Sequence, residues 1–382
     1  MMPALQHSAL PQPSAHSHAP AVAARPTARS YRLAVFSYGL PCPGQKRGGI
    51  EQVAHDLANA LVERGHAVTV FSYDPAPPDA RYEVRGLPLR AFVTSWLGRR
   101  ITMGYLGNAI ALLASYTGFD AIVAHGDSLL LPLTGKPVVR VMHGSAREEA
   151  RSATSIGRTV LQYGVYVQEL LTARLQRGTV GISENTRVSN PFVRRVIPDG
   201  IDLDVFAPAD GERSATPMVL FVGAMGGRKR GAWLLERFQR EIRPAFPDAE
   251  LHLVCTPGEP ADGVHYHTGL ERPALAALYQ RAWVYASPST YEGFGLPYVE
   301  AMACGTPVVA SSNPGSLEVL SGGRYGLVVD DEAFASTICR LLGSRAEREA
   351  LGRAGLARAA DYDIRRSAAA YEAVIEELVA HG

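Results

Sequence analysis

Two carboxylates, Glu292 and Glu300, enclose the run Gly293-Phe294-Gly295-Leu296-Pro297, and the residues between them suit a phosphorylated, hydroxyl-rich ligand. Gly293 and Gly295 let the backbone come close to a ligand or take positive φ. Pro297 stands where a first helical turn begins, which puts Glu300 in that first turn. A helix start at the carboxyl end of a parallel strand presents free N–H groups to anions, and a diphosphate fits there. A carboxylate such as Glu300 can also accept two hydrogen bonds from a vicinal diol, which ribose offers. Taken alone, the pattern is explained more readily by a dipole complement at Glu300 and a solvated loop residue at Glu292.

A second group follows the apolar run 218–222, which delivers Gly223 and then Arg228-Lys229-Arg230. Three cations behind a glycine-bearing turn near a strand end suit phosphate neutralisation, with a solvated basic helix start as the plain alternative. The chain has 38 basic residues but few lysines, so Lys229 is not a by-product of lysine abundance. In the first half, Lys46-Arg47-Gly48-Gly49 opens a helical pattern, and a glycine pair there invites phosphate or sugar contact without forming the G-x-G-x-x-G dinucleotide motif. His143 ends the apolar run 137–142 and so stands at a strand end. Asp202-Leu203-Asp204 has the D-x-D form of metal-dependent transferases, yet it sits in a turn-rich stretch after Pro198, where Asp202 suits a turn or cap. The 11 histidines show no ligand spacing with Cys or Asp, so no metal site is expected.

These residues need elements to hold them. From Tyr31 onward, short β-branched apolar runs alternate with longer amphipathic stretches, the pattern of a parallel sheet covered by helices. Strands are expected at 32–38, 67–72, 120–124, 137–142, 178–182 and 194–197, then at 218–222, 249–255, 282–286, 307–310 and 326–329. Ile50 to Glu63 reads as a helix, with Val53, Leu57 and Leu61 on one stripe and Gly65 closing it. The proline-bearing run Phe206 to Pro217 separates two α/β halves. A last helix is expected from about Ile364 to Leu378, with Ala368, Tyr371, Ile375 and Leu378 on one stripe. The segment Arg81 to Tyr116 interleaves Arg81, Arg85, Arg90, Arg99 and Arg100 with Trp96, Leu97, Ile101, Met103, Tyr105 and Leu106. It reads either as a helix covering its own sheet or as an interfacial helix on an anionic membrane.

Composition sets outer limits. A chain of 382 residues suits two cores of about 150 to 180 residues each. With 47% apolar and 20% charged residues it reads as soluble and globular, and it has no apolar run long enough for a transmembrane helix. The net charge of +1 excludes a dedicated nucleic-acid binder. Cys42, Cys255, Cys304 and Cys339 show no paired spacing, which fits a reducing cytosol. Residues 1–30, rich in Ala, Pro, Ser and His, lack the charged start and apolar stretch of a secretory signal and read as a disordered tail.

Glu-x7-Glu with Gly-Phe-Gly-Leu-Pro inside it, continued by Glu300-Ala-Met-Ala-Cys-Gly-Thr-Pro-Val-Val309, strongly resembles the retaining GT-B glycosyltransferases of family 4. The likeness covers about residues 31–380. It implies an α/β fold of two Rossmann-like domains facing a cleft: a tail at 1–30, an acceptor domain at 31–208, a donor domain at 209–362, and a helix at 363–382 crossing back to the first domain. By the same resemblance Glu292 lies by the donor sugar, Glu300 binds the nucleotide ribose, and the backbone of Gly293, Phe294, Gly295, Leu296 and Pro297 holds phosphate and sugar hydroxyls. Lys229 matches the family lysine on the diphosphate. Where the family has an arginine just after the strand's glycine this chain has Ala224, so Arg228 takes that part. Gly48-Gly49 matches the loop that faces donor and acceptor, and His143 a histidine that contacts the donor sugar.

The implied reaction moves a hexosyl unit from a UDP- or GDP-sugar to a hydroxyl acceptor, with retention, in the cytoplasm. The acceptor would be a polysaccharide or glycolipid intermediate or a secondary metabolite. No metal and no resident cofactor take part, the nucleotide-sugar being a co-substrate. Peripheral contact with the inner face of the cell membrane is left open. Rival readings are a GT-B sugar-nucleotide epimerase or phosphorylase and a non-catalytic nucleotide-sugar-binding subunit.

Overall fold

The computed structural model of the chain describes residues 29–42, 49–88, 111–126, 128–151, 155–209, 211 and 213–381. The first half supplies β1 (Arg32–Phe36), β2 (Ala67–Ser72), β3 (Glu83–Gly86), β4 (Ala121–His125), β5 (Val138–Met142), β6 (Gly178–Gly181) and β7 (Arg195–Val196). The second supplies β8 (Met218–Val222), β9 (Glu250–Val254), β10 (Val264–His267), β11 (Val284–Ser287), β12 (Val308–Ser311) and β13 (Leu327–Val329). They form two sheets, ordered β3-β2-β1-β4-β5-β6-β7 and β10-β9-β8-β11-β12-β13. Pairing is parallel throughout. The central strands are buried on both faces, as at Leu33 to Phe36 and Val219 to Phe221, which is why they read as continuous apolar runs.

All eleven expected strands form, each end within two residues of its reading. The two that sequence reasoning missed, β3 and β10, are sheet edges. Each is four residues long and carries Glu, Arg or His, so neither shows an apolar pattern. β3 also corrects the helical reading of Arg81 to Tyr116 at its start, since Glu83–Gly86 pairs with β2. At its end, Ala111 and Tyr116 are buried in the first domain's core with Phe71. Arg90, Trp96, Leu97, Arg99, Arg100, Ile101, Met103, Tyr105 and Leu106 lie outside the described residues. Among the described residues, no helix is long and apolar enough to cross a membrane.

Strand order fixes where ligands go. In the first sheet the chain builds outward from β1 in one direction and resumes with β4 on its other side; in the second it does the same from β8 to β11. Such reversals open a crevice at the carboxyl ends of the flanking strands. The loop after β8 carries Arg228 and Lys229, and the loop after β11 carries Glu292.

The chain crosses between the sheets twice, and the crossings pair: Ile201 N–H donates to Tyr362 O at 2.8 Å and Ile364 N–H to Ile201 O at 2.9 Å. Gly200 is required beside them, because a Cβ there would stand 2.5 Å from Ile364 Cα. The final helix, Ile364–His381, then packs on the Gly49–Glu63 helix and on β5 and β6, burying Ala368, Tyr371 and Ile375. On it, Glu372 is buried between two basic side chains of the first domain, Arg64 and His66, with His66 Nε2 at 2.9 Å. His66 Nδ1 accepts from Tyr31 N–H, so the ring proton sits on Nε2, the nitrogen beside Glu372.

Candidate functional site

β11 ends at Ser287 and its loop turns into the helix Leu296–Ala303 through Gly295, whose φ of +102° is left-handed. A Cβ on Gly295 would stand 2.4 Å from the Tyr298 ring, so the turn needs glycine twice over. Pro297 occupies the first helical turn, as its missing N–H allows. Asn313 braces the loop from below: its side chain donates to Ser289 O at 2.9 Å and to Tyr298 Oη at 3.2 Å, while it caps the neighbouring Pro314–Val319 helix.

On this frame Glu292 is buried and Arg228 and Lys229 reach it from the adjacent loop. Arg228 Nη1 lies 2.7 Å from Glu292 Oε2 and Lys229 Nζ 2.5 Å from Oε1. Arg228 Nη1 also donates to Tyr291 O at 2.7 Å, and Thr290 N–H donates to Arg228 O at 2.9 Å, so the two loops are stitched together. Burial alone would push the Glu292 carboxyl up, but Lys229 and Arg228 outweigh it and hold the group below its ordinary value, ionised at neutral pH. Arg230, grouped with these two by sequence, turns away: it takes left-handed backbone, forks onto Asp331 at 2.8 and 2.6 Å and stacks on Trp233.

Glu300 does not lie in the first helical turn as sequence suggested. The helix begins at Leu296, which puts Glu300 fifth, on its second turn. The dipole contribution is small there, and its partner is a side chain: Tyr279 Oη donates to Glu300 Oε2 at 2.9 Å. Burial raises the Glu300 carboxyl above its ordinary value, against the opposing pull of Tyr279 and Arg272. The Phe294 side chain is buried edge-on to Tyr362 at 5.4 Å, so any contact from this residue to a ligand comes from its backbone.

The first domain meets this loop directly. Gly49 begins the Gly49–Glu63 helix with its Cα side toward Leu296, and a Cβ on Gly293 would stand 3.2 Å from His143 O. Gly48 lies outside the described residues. His143, at the end of β5, stacks on His125 at the end of β4, with His143 Nε2 2.9 Å from His125 Nδ1. Its other nitrogen stands 3.7 Å from Asp199. Burial, reinforced by His143, keeps His125 neutral. Farther along the cleft, Arg272 Nη1 bridges to Asp56 Oδ1 at 2.8 Å, and the Glu318 carboxylate accepts the Glu184 N–H at 3.0 Å, where the short helix Glu184–Ser189 begins.

Sequence reasoning missed His125, Asp199, Tyr279, Arg272 and Asp56. His125 had a signal, since Ala124-His125-Gly126 repeats at β4 what Met142-His143-Gly144 shows at β5. The others sit in helices or turns whose patterns explain them without a ligand. Asp202 is a turn residue, its carboxylate accepting Asp204 N–H at 2.9 Å. Strand pairing also assembles a group of side chains that the sequence spacing did not show. His265, thirteen residues on from His252, joins Glu250 and His252 when β10 pairs with β9.

The chain matches two family models: "Glycosyltransferase Family 4" over residues 47–187 and "Glycosyl transferases group 1" over 216–344. It is 33% identical to an MMP α-(1→4)-mannosyltransferase of Mycolicibacterium hassiacum, over 91% of this chain and 98% of that protein. It is 31% identical to a D-inositol 3-phosphate glycosyltransferase of Pseudarthrobacter chlorophenolicus, over 87% and 92%. Among solved structures, sucrose-phosphate synthase from Thermosynechococcus elongatus shares the fold with a TM-score of 0.76 at 22% identity, over 93% of this chain and 100% of that one.

Proposed function

The chain belongs to the family 4 glycosyltransferases, and from that premise we propose that it moves a hexosyl unit from a UDP- or GDP-sugar to a hydroxyl acceptor with retention of configuration. The convergence of Arg228 and Lys229 on Glu292, beside the start of the Leu296–Ala303 helix, carries the reading. As the bond from the anomeric carbon to the donor's diphosphate breaks, negative charge grows on the departing oxygens. Two cations and a helix start fixed in advance at that point stabilise it without reorganisation. The acceptor hydroxyl adds to the anomeric carbon and its proton passes to the leaving diphosphate, so the step balances without a protein nucleophile, a metal or a resident cofactor.

Glu292 is the counter-ion of both cations, and with a donor in place it accepts a hydroxyl of the sugar. Glu300, oriented by Tyr279, accepts the ribose diol. The backbone of Gly293 to Leu296 lines the phosphates, with Pro297 starting the helix, while His143 and Gly49, with Gly48 preceding it, approach from the first domain. Contacts such as Arg272–Asp56 hold the cleft shut against water.

The name of the Mycolicibacterium relative supports a mannosyl donor, and that of the Pseudarthrobacter relative supports a phosphorylated polyol among the acceptors. The reaction is assigned to the cytoplasm, and vesicle flotation tests for peripheral contact with the membrane. The purified chain is to be incubated with GDP-mannose or UDP-glucose, a panel of hydroxyl acceptors and a chelator. Nucleoside diphosphate release, with a product whose anomeric proton shows the donor's configuration, supports the reading. Release of sugar phosphate, an epimerised donor, or no turnover of any donor rejects it.

A further inference from the structure

The edge of the second sheet gathers four side chains that ligate metals. Glu250 and His252 are two residues apart on β9 and so leave the same face. The register of β10 sets His265 beside His252 and brings His267 to that face two residues on. His252 Nε2 stands 3.3 Å from Glu250 Oε2, and His265 Nε2 stands 3.9 Å from Glu250 Oε1. The ligand atoms of all three lie within 4.8 Å of one another.

Those separations match the chemistry of one ion. Zinc bonds of about 2.0–2.2 Å in a tetrahedron place neighbouring ligand atoms roughly 3.3–3.5 Å apart. The Glu250–His252 edge already has that length, and His265, 49% exposed, needs only a small side-chain rotation to close the rest. Two imidazoles with one carboxylate suit a borderline divalent ion rather than magnesium or calcium, which prefer all-oxygen sets. The second coordination layer is also in place. His252 Nδ1 lies 3.0 Å from His267 Nε2, so with Nε2 on a metal the Nδ1 proton is donated to His267, fixing tautomer and ring orientation.

We propose that Glu250, His252 and His265 form a zinc site that ties the edge strand β10 to β9, with His267 orienting His252 and the fourth position open to solvent. The group's hydrogen bonds and ion pairs link Glu250, His252, His265 and His267 on the β9–β10 edge, and among the described residues none reaches Arg228, Lys229, Glu292 or Glu300, so the site is separate from the donor site and stands or falls independently of it. Its service is to the sheet. A four-residue edge strand is held by one row of backbone bonds, and a metal across it adds a link that an unfolded chain does not form.

The test uses the full chain, stripped with chelator and titrated with Zn2+ by calorimetry and with Co2+ by visible absorption. His16 and His18 are replaced by alanine in every sample, because His16-Ser17-His18 offers a second place for a cation. One equivalent is expected to bind, with the ligand-field bands of four-coordinate Co2+, and Zn2+ should raise Tm in a way that chelator reverses. His267→Gln should weaken binding roughly 10- to 100-fold, and His265→Ala or Glu250→Gln at least as much, with binding of UDP and GDP unchanged. Absence of saturable one-to-one binding would overturn the proposal, as would equal affinity in His265→Ala and Glu250→Gln.

Discussion

Lys229 Nζ lies 2.5 Å from Glu292 Oε1, while Arg228 holds the other oxygen of the same carboxylate at 2.7 Å. One buried anion is thus shared by two cations delivered from the neighbouring strand, at the crevice where the strand order reverses. The group carries a net positive charge, and a diphosphate would complete its neutralisation.

Lys229→Ala should therefore lower kcat by about 100- to 1,000-fold, the usual cost of removing one preset stabiliser of a developing anion. Glu292 keeps Arg228 as a partner, so Tm should change little. Lys229→Arg, which retains charge with different geometry, should recover only part of the rate. Steady-state kinetics beside a thermal melt separate the two effects.

Glu300 gives a pH dependence with a defined sign. Its carboxyl is raised above the ordinary value by burial, so protonation begins at higher pH than for an exposed glutamate. A protonated Glu300 would lose acceptor capacity for the ribose diol that we propose it binds. The KM for donor should rise as pH falls from neutral into the acid range, whereas in Glu300→Gln it should be high and flat over the same range. The linkage to stability has the opposite sense to Glu292. A raised carboxyl favours the folded state as pH falls, while the depressed Glu292 contributes stability that is lost as pH drops through its lowered value.

Much of this arrangement was legible because it is local. Gly295, Pro297 and the strand-to-helix turn are set by neighbours in sequence, and the buried parallel strands announce themselves as apolar runs. What escaped is non-local or at an edge. The partnership of Tyr279 with Glu300 joins two helices whose apolar stripes account for both positions, and the histidines of β9 and β10 meet only through strand register. Glu300 falls just past the first turn because the helix starts at Leu296, one residue ahead of Pro297.

The interdomain bridge makes a testable claim about closure. Arg272 Nη1 and Asp56 Oδ1 are 2.8 Å apart across the cleft. Arg272→Ala and Asp56→Ala should each raise the KM for donor, and a double-mutant cycle should show a coupling of about 0.5–3 kcal/mol. Additive effects would mean that the pair does not help to close the domains.

Glu372 tests the return of the last helix. Its carboxylate is buried between Arg64 and His66, so Glu372→Ala leaves the largely buried Arg64 guanidinium without its counter-ion. A loss of about 3–5 kcal/mol in denaturant unfolding is expected. Below the transition, the KM for donor should be unchanged, because the pair lies in the first domain and its crossing helix.

The most direct measurement is calorimetric titration of UDP and GDP into the wild-type chain, Lys229→Ala and Glu300→Gln. The arrangement described predicts that one of the two nucleotides binds with one-to-one stoichiometry and that each substitution weakens it by at least about tenfold, the effect of losing roughly 1.4 kcal/mol of contact. Equal binding in all three proteins, or no binding of either nucleotide to the wild type, would contradict it.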